Sequence, residues 1–213
     1  MRGGDAHGPE RLFDVEVAFS DDGIIRSMKM RALENVGAYA GRSPFQRGKP
    51  VGAIVGPYKI KSVQYQAIAV VTNKTVQEAV RAFGQSPTNY AIERTVDEVA
   101  NRLGLDRLEI RRRNMIRPEQ MPYDNVVKKH YDSGNYPAAL ALAREKFDHQ
   151  KWIARQKKRD PDGRTTGIGF ARYCEQSAPG TSDFATGDLP LVPGAGQAAG
   201  KPTGGDASPI GVH

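Results

Sequence analysis

The chain has 213 residues, of which 38% are hydrophobic and 26% are charged, a balance typical of a soluble globular protein with one or two domains. No run approaches the roughly 18 consecutive apolar residues of a membrane helix, and no apolar stretch follows the N-terminus, so we predict a cytoplasmic protein with no membrane span and no secretory signal. The formal net charge of +7 invites a nucleic-acid-binding interpretation, but the basic runs contain a single aromatic residue, Trp152, so we predict no nucleic-acid partner.

The first predicted element is a β-hairpin over residues 13–31. Apolar residues alternate with polar ones from Phe13 to Phe19, as in a strand with one buried face. Asp22-Gly23 supplies the turn, because glycine accepts a positive φ without steric penalty.

Two further strands are predicted at residues 58–63 and 66–72. The second is rich in alanine and β-branched residues, which indicates a buried strand.

Three helices are predicted after the strands. The first covers residues 87–103, where apolar side chains recur at helical spacing. The second covers residues 106–114 and begins with Asp106 as its N-cap. The third covers residues 137–156, with Asn135 before it as a cap.

Two charged features of these helices are given ordinary structural interpretations. Glu93 is expected to be a solvated or ion-paired helix residue. The triplet Arg111-Arg112-Arg113 is expected to be a solvated helix end or a subunit contact.

The C-terminal part changes character. A polar linker over residues 160–166 leads to a predicted strand at 167–173. Residues 178–213 are rich in Gly, Pro, Ala and Ser and offer too few large apolar groups for a core, so we predict disorder there.

A search for chemical motifs finds little. The sequence has no Walker loop, no His-Glu-x-x-His and no nucleophile elbow, and its four histidines are scattered. The single cysteine, Cys174, excludes an internal disulfide and a cysteine-rich metal site built by this chain alone. The residues alone therefore predict an α+β fold with a mixed sheet and packed helices.

Several short motifs nevertheless occur in a specific order across about 160 residues. They are Glu34-Asn35-Val36-Gly37-Ala38-Tyr39, Gly56-Pro57-Tyr58-Lys59-Ile60, Val71-Thr72-Asn73, Val80-Arg81-Ala82-Phe83-Gly84-Gln85, Ile92-Glu93-Arg94, Arg111-Arg112-Arg113-Asn114-Met115-Ile116, Tyr131-Asp132-Ser133-Gly134-Asn135-Tyr136 and Gly167-Ile168-Gly169-Phe170. In order and spacing the chain resembles the molybdenum-cofactor-binding large subunit of the xanthine dehydrogenase and aldehyde oxidase family of molybdenum hydroxylases.

The resemblance implies a domain organisation. Residues 1–160 correspond to part of the first molybdenum-cofactor-binding domain, residues 161–177 to the truncated start of the second, and residues 178–213 to a low-complexity tail. We therefore expect the chain to be part of a larger catalytic subunit.

The resemblance also implies a reaction, cofactors and partners. It implies oxidative hydroxylation of aldehydes or N-heteroaromatic compounds with oxygen derived from water, at a molybdenum–molybdopterin cofactor. The cytosine dinucleotide is one candidate form of that cofactor. Iron–sulfur clusters and FAD are expected on partner subunits. The glutamate base of the family lies in another part of the large subunit, so we expect no catalytic residue in this chain and no activity of the chain alone.

The same resemblance assigns the candidate site residues. Arg81, Ala82 and Gly84 correspond to the cofactor-binding loop, and the backbone of Arg81 corresponds to the part that approaches molybdenum. Phe83 corresponds to a phenylalanine that packs against an aromatic substrate. Lys49 corresponds to a further substrate-binding position.

Two departures from the family pattern bear on the substrate. Many relatives have glycine at the position of Ala82, and carbon monoxide dehydrogenases have a copper-bridging cysteine there, so copper-dependent oxidation of carbon monoxide is not predicted. Purine-oxidising members have an arginine near the position of Lys49, with Arg47 nearby in this chain. A lysine lacks the planar two-pronged donor of arginine, so a purine substrate is not predicted.

Two other classes of function remain open on the sequence. One is a non-catalytic assembly or binding module that shares this fold, because fold does not fix function. The other is a basic nucleic-acid-binding domain, which would show affinity that falls steeply with salt.

Overall fold

The computed structural model describes residues 6–39, 51, 54–82, 84–174 and 208–212. Five strands come first along these ranges, and helices and short strands follow, so the predicted α+β fold with a mixed sheet is confirmed. The strands are β1 Ala6–His7, β2 Arg11–Phe19, β3 Ile25–Gly37, β4 Ser62–Val71, β5 Val76–Gln77, β6 Tyr123–Asp124, β7 His130–Tyr131 and β8 Ser208–Val212. The helices are α1 Gln85–Leu103, α2 Arg107–Asn114, α3 Tyr136–Lys146 and α4 His149–Gln156.

The hairpin predicted from alternating apolar residues is present as β2 and β3. The two strands pair in antiparallel register, with Val15 opposite Met30. Gly23 adopts a φ of 81° in the turn, and its amide donates to the carbonyl of Ser20 at 2.7 Å. Side chains on one face, such as Val15 and Met30, are buried because the pleat directs alternate residues to the core.

β4 extends this hairpin by pairing parallel to β3, which gives a four-stranded mixed sheet in the order β4-β3-β2-β8. It is one strand, where the sequence predicted two at 58–63 and 66–72. The prediction that residues 66–72 are buried is wrong. β4 has a strand neighbour on one side only within the described residues, so Val71 is largely exposed and the rest is half-buried at best.

The core lies between one face of this sheet and helix α1. The helix is amphipathic, with Ile92, Val96 and Val99 turned toward the sheet and fully buried. They pack in one cluster with the inward-facing residues of β2 and β3. This packing fixes the N-terminal end of α1 beside the start of β2.

The N-caps predicted from the sequence are confirmed, whereas one of the predicted helix lengths is wrong. Asp106 accepts hydrogen bonds from two backbone amides at 2.9 Å, and Asn135 accepts one from Ala138 at 2.9 Å. The single helix predicted over 137–156 is two helices, because Asp148 adopts a left-handed φ of 50° that ends the first.

The C-terminal expectations are only partly addressed by the structure. The strand predicted at 167–173 is wrong, because these residues have no regular secondary structure. Of the predicted disordered tail 178–213, only residues 208–212 are described, and they form β8 against β2. The other tail residues lie outside the described ranges, and their disorder stays a prediction. No helix in the described ranges has the length and apolar character needed to cross a bilayer.

Candidate functional site

The candidate site is the loop of residues 78–84, which connects β5 to α1. At its start, the Glu78 amide donates to the carbonyl of His7 at 3.0 Å, continuing the parallel pairing of β5 with β1. At its end, the Gln85 amide donates to the carbonyl of Ala82 at 3.1 Å as the helix begins. A loop held at both ends by regular structure presents its central residues in a defined position.

The structure places three of the predicted site residues in this loop. Arg81 is exposed, Ala82 is half-buried and Gly84 is buried at the N-cap of α1. Phe83 and Lys49, the two predicted substrate-binding residues, lie outside the described residues, and so does Arg47. Their roles therefore stay predictions.

Two residues of the loop have left-handed backbone. Gly84 has a φ of 88°, which glycine adopts freely. Ala82 has a φ of 81°, in a region that costs a residue with a Cβ about 1–2 kcal/mol. Ala82 is therefore a strained position, where many relatives have glycine.

We expect Ala82→Gly to raise the free energy of unfolding by about 0.5–1 kcal/mol. Relief of the left-handed strain outweighs the greater chain entropy of glycine in the unfolded state, which is about 0.4–1 kcal/mol. Urea unfolding of the purified chain measures the change. Ala79→Gly is the matched control, because Ala79 is in the same loop and does not have a positive φ. The control should lose stability, and a loss of equal size at both positions would contradict the strain at Ala82.

The last residue of the loop is held by side chains as well as by the helix. The carbonyl of Gly84 accepts a hydrogen bond from Arg11 Nη1 at 3.2 Å and one from Thr88 Oγ1 at 3.1 Å. Arg11 is in turn paired with Glu34 at 2.7 Å, and both side chains are 1% exposed. This pair could not be predicted from the sequence, because it depends on which residues face each other across β2 and β3.

A second buried charged cluster lies further along α1, at Glu93 and Asp97. Arg111 is 0% exposed, and its guanidinium contacts Glu93 at 2.9 Å and Asp97 at 2.7 Å. It also donates to the carbonyl of Phe170 at 3.3 Å, which ties the C-terminal segment to this domain. The expectation that Arg111 is a solvated helix end or a subunit contact is wrong.

Burial dominates the protonation behaviour of this cluster. It raises the pKa of the Glu93 carboxyl, although the Arg111 guanidinium and the Tyr58 hydroxyl act to lower it. Burial also raises the pKa of the Tyr58 hydroxyl, which donates to Glu93 Oε1 at 2.6 Å. The hydrogen bonds of these groups join α1, α2, Tyr58 and the Phe170 segment, so we assign the cluster a structural role.

Of the neighbouring arginines, Arg112 is solvated as predicted, whereas Arg113 is half-buried and also donates to the carbonyl of Asp22 at 2.6 Å. Arg112 is 62% exposed and pairs with Glu109 at 2.7 Å, and Arg113 pairs with the same carboxylate at 2.7 Å. Hydrogen bonds from these two guanidinium groups lower the pKa of Glu109 to about 2. One face of a short helix is thus solvated while Arg111 on the other face is buried.

Comparison with known proteins decides the family. Residues 3–115 match the molybdopterin cofactor-binding domain. The chain belongs to this family. A relative of this molybdopterin cofactor-binding chain is the 6-hydroxypseudooxynicotine dehydrogenase complex subunit gamma of Paenarthrobacter nicotinovorans, 31% identical over 98% of this chain and 26% of that protein. The carbon monoxide dehydrogenase large chain of Hydrogenophaga pseudoflava is 33% identical over 79% of this chain and 22% of that protein.

Solved structures agree with this membership. The crystal structure of quinoline 2-oxidoreductase from Pseudomonas putida 86 has a TM-score of 0.63 and 30% identity, covering 71% of this chain and 20% of that chain. The molybdopterin cofactor-binding chain described here spans about a quarter of the length of the curated relatives it matches.

The residues of the loop fit a large anionic cofactor. Arg81 places an exposed positive charge in the second half of the loop, while the one carboxylate of the loop, Glu78, lies at its entry and is half-buried. The small side chains of Ala82 and Gly84 allow a flat ring system to approach the backbone closely. Direct metal ligation by side chains is not indicated, since the described residues contain no group of three His, Cys, Asp or Glu side chains suited to hold a metal ion.

Proposed function

We propose that this chain forms one wall of the molybdenum-cofactor site in the large subunit of an enzyme that hydroxylates aldehydes or N-heteroaromatic compounds with oxygen derived from water. The observation that carries the proposal is the anchored loop 78–84, with exposed Arg81 and left-handed Ala82 and Gly84, within a molybdopterin cofactor-binding domain. The bound cofactor supplies the two-electron oxidation chemistry.

Four residues of the loop, and Lys49 outside it, have proposed roles in this site. The backbone of Arg81 lies beside the molybdenum centre, and Ala82 and Gly84 complete the surface against the cofactor. Phe83 packs against an aromatic substrate, and Lys49 contributes to the substrate pocket. The general base is supplied by another part of the large subunit, so the isolated chain is expected to be inactive.

The relatives and Ala82 support the proposed substrate class. Relatives named for quinoline and for 6-hydroxypseudooxynicotine support an N-heterocyclic substrate. A carbon monoxide dehydrogenase is also a relative, but Ala82 has no thiol to bind copper. Carbon monoxide is therefore not the proposed substrate.

The proposed organisation extends beyond this chain. Residues 1–160 form part of the first cofactor-binding domain, residues 161–177 begin the second, and residues 178–213 are a tail. An iron–sulfur subunit and an FAD subunit receive the electrons in the cytoplasm. A relative named as subunit gamma of a dehydrogenase complex supports an assembly of several subunits. The cytosine dinucleotide form is one candidate for the bound cofactor.

The test compares Arg81→Ala and Phe83→Ala in the assembled complex. We expect Arg81→Ala to lower molybdenum content, or activity toward every substrate alike, because Arg81 meets the cofactor. We expect Phe83→Ala to lower kcat/KM for aromatic substrates by about 1–3 kcal/mol of transition-state stabilisation, the range of aromatic stacking, with normal molybdenum content. Metal analysis and steady-state kinetics provide both measurements.

Arg102→Ala is the matched control, because Arg102 is a partly exposed arginine near the far end of α1, paired with Glu98 at 3.5 Å. It should leave both molybdenum content and kinetics unchanged. Equal effects of Arg81→Ala and Arg102→Ala, or a complex that contains no molybdenum or pterin, would exclude the proposed function.

A further inference from the structure

Arg11 and Glu34 form a buried ion pair at the start of the sheet. They are direct cross-strand partners in the β2–β3 register, and each side chain is 1% exposed. The guanidinium contacts Glu34 Oε1 twice, from Nε at 2.9 Å and from Nη2 at 2.7 Å. Arginine suits this position because its planar fork can hold a carboxylate and still direct Nη1 elsewhere.

Gln77 completes a three-residue unit around the same carboxylate. Its Nε2 donates to Glu34 Oε1 at 2.6 Å, and the Gln77 side chain is fully buried. Three donors from two strands thus converge on one oxygen of β3. We call Arg11, Glu34 and Gln77 the loop clamp.

The loop clamp reaches both ends of the candidate cofactor loop. Gln77 is the residue immediately before the loop 78–84, and Gly84 is its last residue. Arg11 Nη1 donates to the carbonyl of Gly84 at 3.2 Å. One carboxylate therefore fixes the loop entry directly and the loop exit through a single guanidinium.

Stability alone gives a weak reason for such a pair. Burying two charges away from water costs roughly several kcal/mol per ion. Proteins in which apolar residues of similar size replace a buried ion pair are often as stable as the original. Directional contacts to a backbone carbonyl, in contrast, define a geometry that apolar packing does not. The loop clamp makes such a contact, from Arg11 Nη1 to the carbonyl of Gly84, the last residue of the loop.

We propose that the loop clamp is the positioning element of the cofactor site, setting the separation of the two loop ends and thereby the place at which the backbone of Arg81 and Ala82 meets the cofactor. The proposal rests on the proposed function for the identity of the cofactor. Arg11, Glu34 and Gln77 are positioning residues, since they act on the cofactor through the loop. The left-handed backbone at Ala82 is held in place because Gln77 before the loop and Gly84 at its end are hydrogen-bonded to Glu34 and Arg11, respectively.

The first arm of the test reads loop geometry in the full chain without any cofactor. We expect Arg11→Met to increase hydrogen exchange of the backbone amides in residues 78–84 about 10-fold or more, the equivalent of one hydrogen bond to a charged group. Trypsin cleavage after exposed Arg81 should accelerate in parallel. Arg11→Lys keeps the charge and should restore part of the protection.

The control for general destabilisation is Glu93→Gln, which weakens the other buried cluster on α1. Both variants are compared in urea concentrations at which they are equally stable. The loop amides should respond to Arg11→Met and not to Glu93→Gln. If Arg11→Met does not fold, Gln77→Leu can be used instead, with the same measurement of amide hydrogen exchange in the loop. Equal exchange rates of the loop amides in Arg11→Met and Glu93→Gln would overturn the proposal.

The second arm uses the assembled complex and separates this proposal from the proposed function. Arg11→Lys should lower molybdenum content and alter the electron paramagnetic resonance spectrum of the reduced centre, with Glu93→Gln as the control. A loosened loop with an unchanged spectrum and full molybdenum content would overturn the link to the cofactor. A wild-type complex without molybdenum would instead exclude the proposed function and leave the result of the first arm standing.

Discussion

Replacing Arg111 by leucine should lower the free energy of unfolding by about 3–5 kcal/mol. The substitution removes the guanidinium that contacts Glu93 at 2.9 Å and Asp97 at 2.7 Å, and leaves both carboxylates buried. Asp97 keeps only the longer contacts to Arg94 and Arg107, at 3.7 and 3.8 Å, among the described residues. It also removes the contact to the carbonyl of Phe170 that holds the C-terminal segment. Urea unfolding followed by circular dichroism measures the loss.

The control is Arg112→Leu on the solvated face of the same helix. Arg112 is 62% exposed, so its pair with Glu109 is screened by water and the variant should stay within about 1 kcal/mol of the wild type. Equal losses for the two variants would show that Arg111 contributes no more than a surface arginine.

The loss caused by Arg111→Leu should also depend on pH. Burial already raises the pKa of Glu93, and removal of the guanidinium raises that pKa further. A carboxyl whose pKa is higher in the folded state stabilises below its unfolded pKa and loses that contribution as the pH rises through the folded value. The variant should therefore be closer to wild type at about pH 4 than at about pH 8.

Gly37→Ala should lower the free energy of unfolding by about 3 kcal/mol or more. Gly37 has a φ of 77°, which costs alanine about 1–2 kcal/mol. A Cβ at this position would also overlap the carbonyl group of Thr75 and lie 3.0 Å from the Cα of Val76, so the backbone leading to the loop must move. Overpacking of this kind adds about 1–3 kcal/mol.

Gly104→Ala separates the two contributions. Gly104 also has a positive φ, of 63°, but a Cβ there would meet nothing within 4 Å. This control should lose only the backbone term of about 1–2 kcal/mol. Thermal or urea unfolding measures the free energy of unfolding of both variants. Equal losses in the two variants would show that the backbone at Thr75 moves away from the added Cβ without energetic cost.

The parts of the fold that depend on neighbours in sequence were predictable. Gly23 gave the hairpin turn because few other residues accept its φ, and Asp106 and Asn135 gave helix starts because their side chains bind nearby amides. Features set by distant contacts were not predictable. Nothing local distinguishes buried Arg111 from exposed Arg112, and the apolar composition of β4 does not reveal its place at a sheet edge.

The candidate site was predictable only in part. Arg81, Ala82 and Gly84 were found through resemblance to a family, since an isolated Arg-Ala-Phe-Gly has no chemical signature of its own. The loop clamp was not found, because Arg11 and Glu34 are far apart in sequence and meet only through the strand register. Phe83 and Lys49 lie outside the described residues, so their proposed substrate contacts depend on the resemblance.

The mixed sheet has a consequence for the order in which the chain folds. β2 and β3 are joined by a short turn and can pair within about 1–10 microseconds, the timescale of an isolated hairpin. β4 pairs parallel to β3 and needs a long crossover between Gly37 and Ser62, so its closure entropy delays it. β8 joins β2 from residue 208, the most distant pairing in the sheet. The outer edge of β2 therefore stays open until late in folding, and newly made chains are most exposed to mutual strand pairing along that edge.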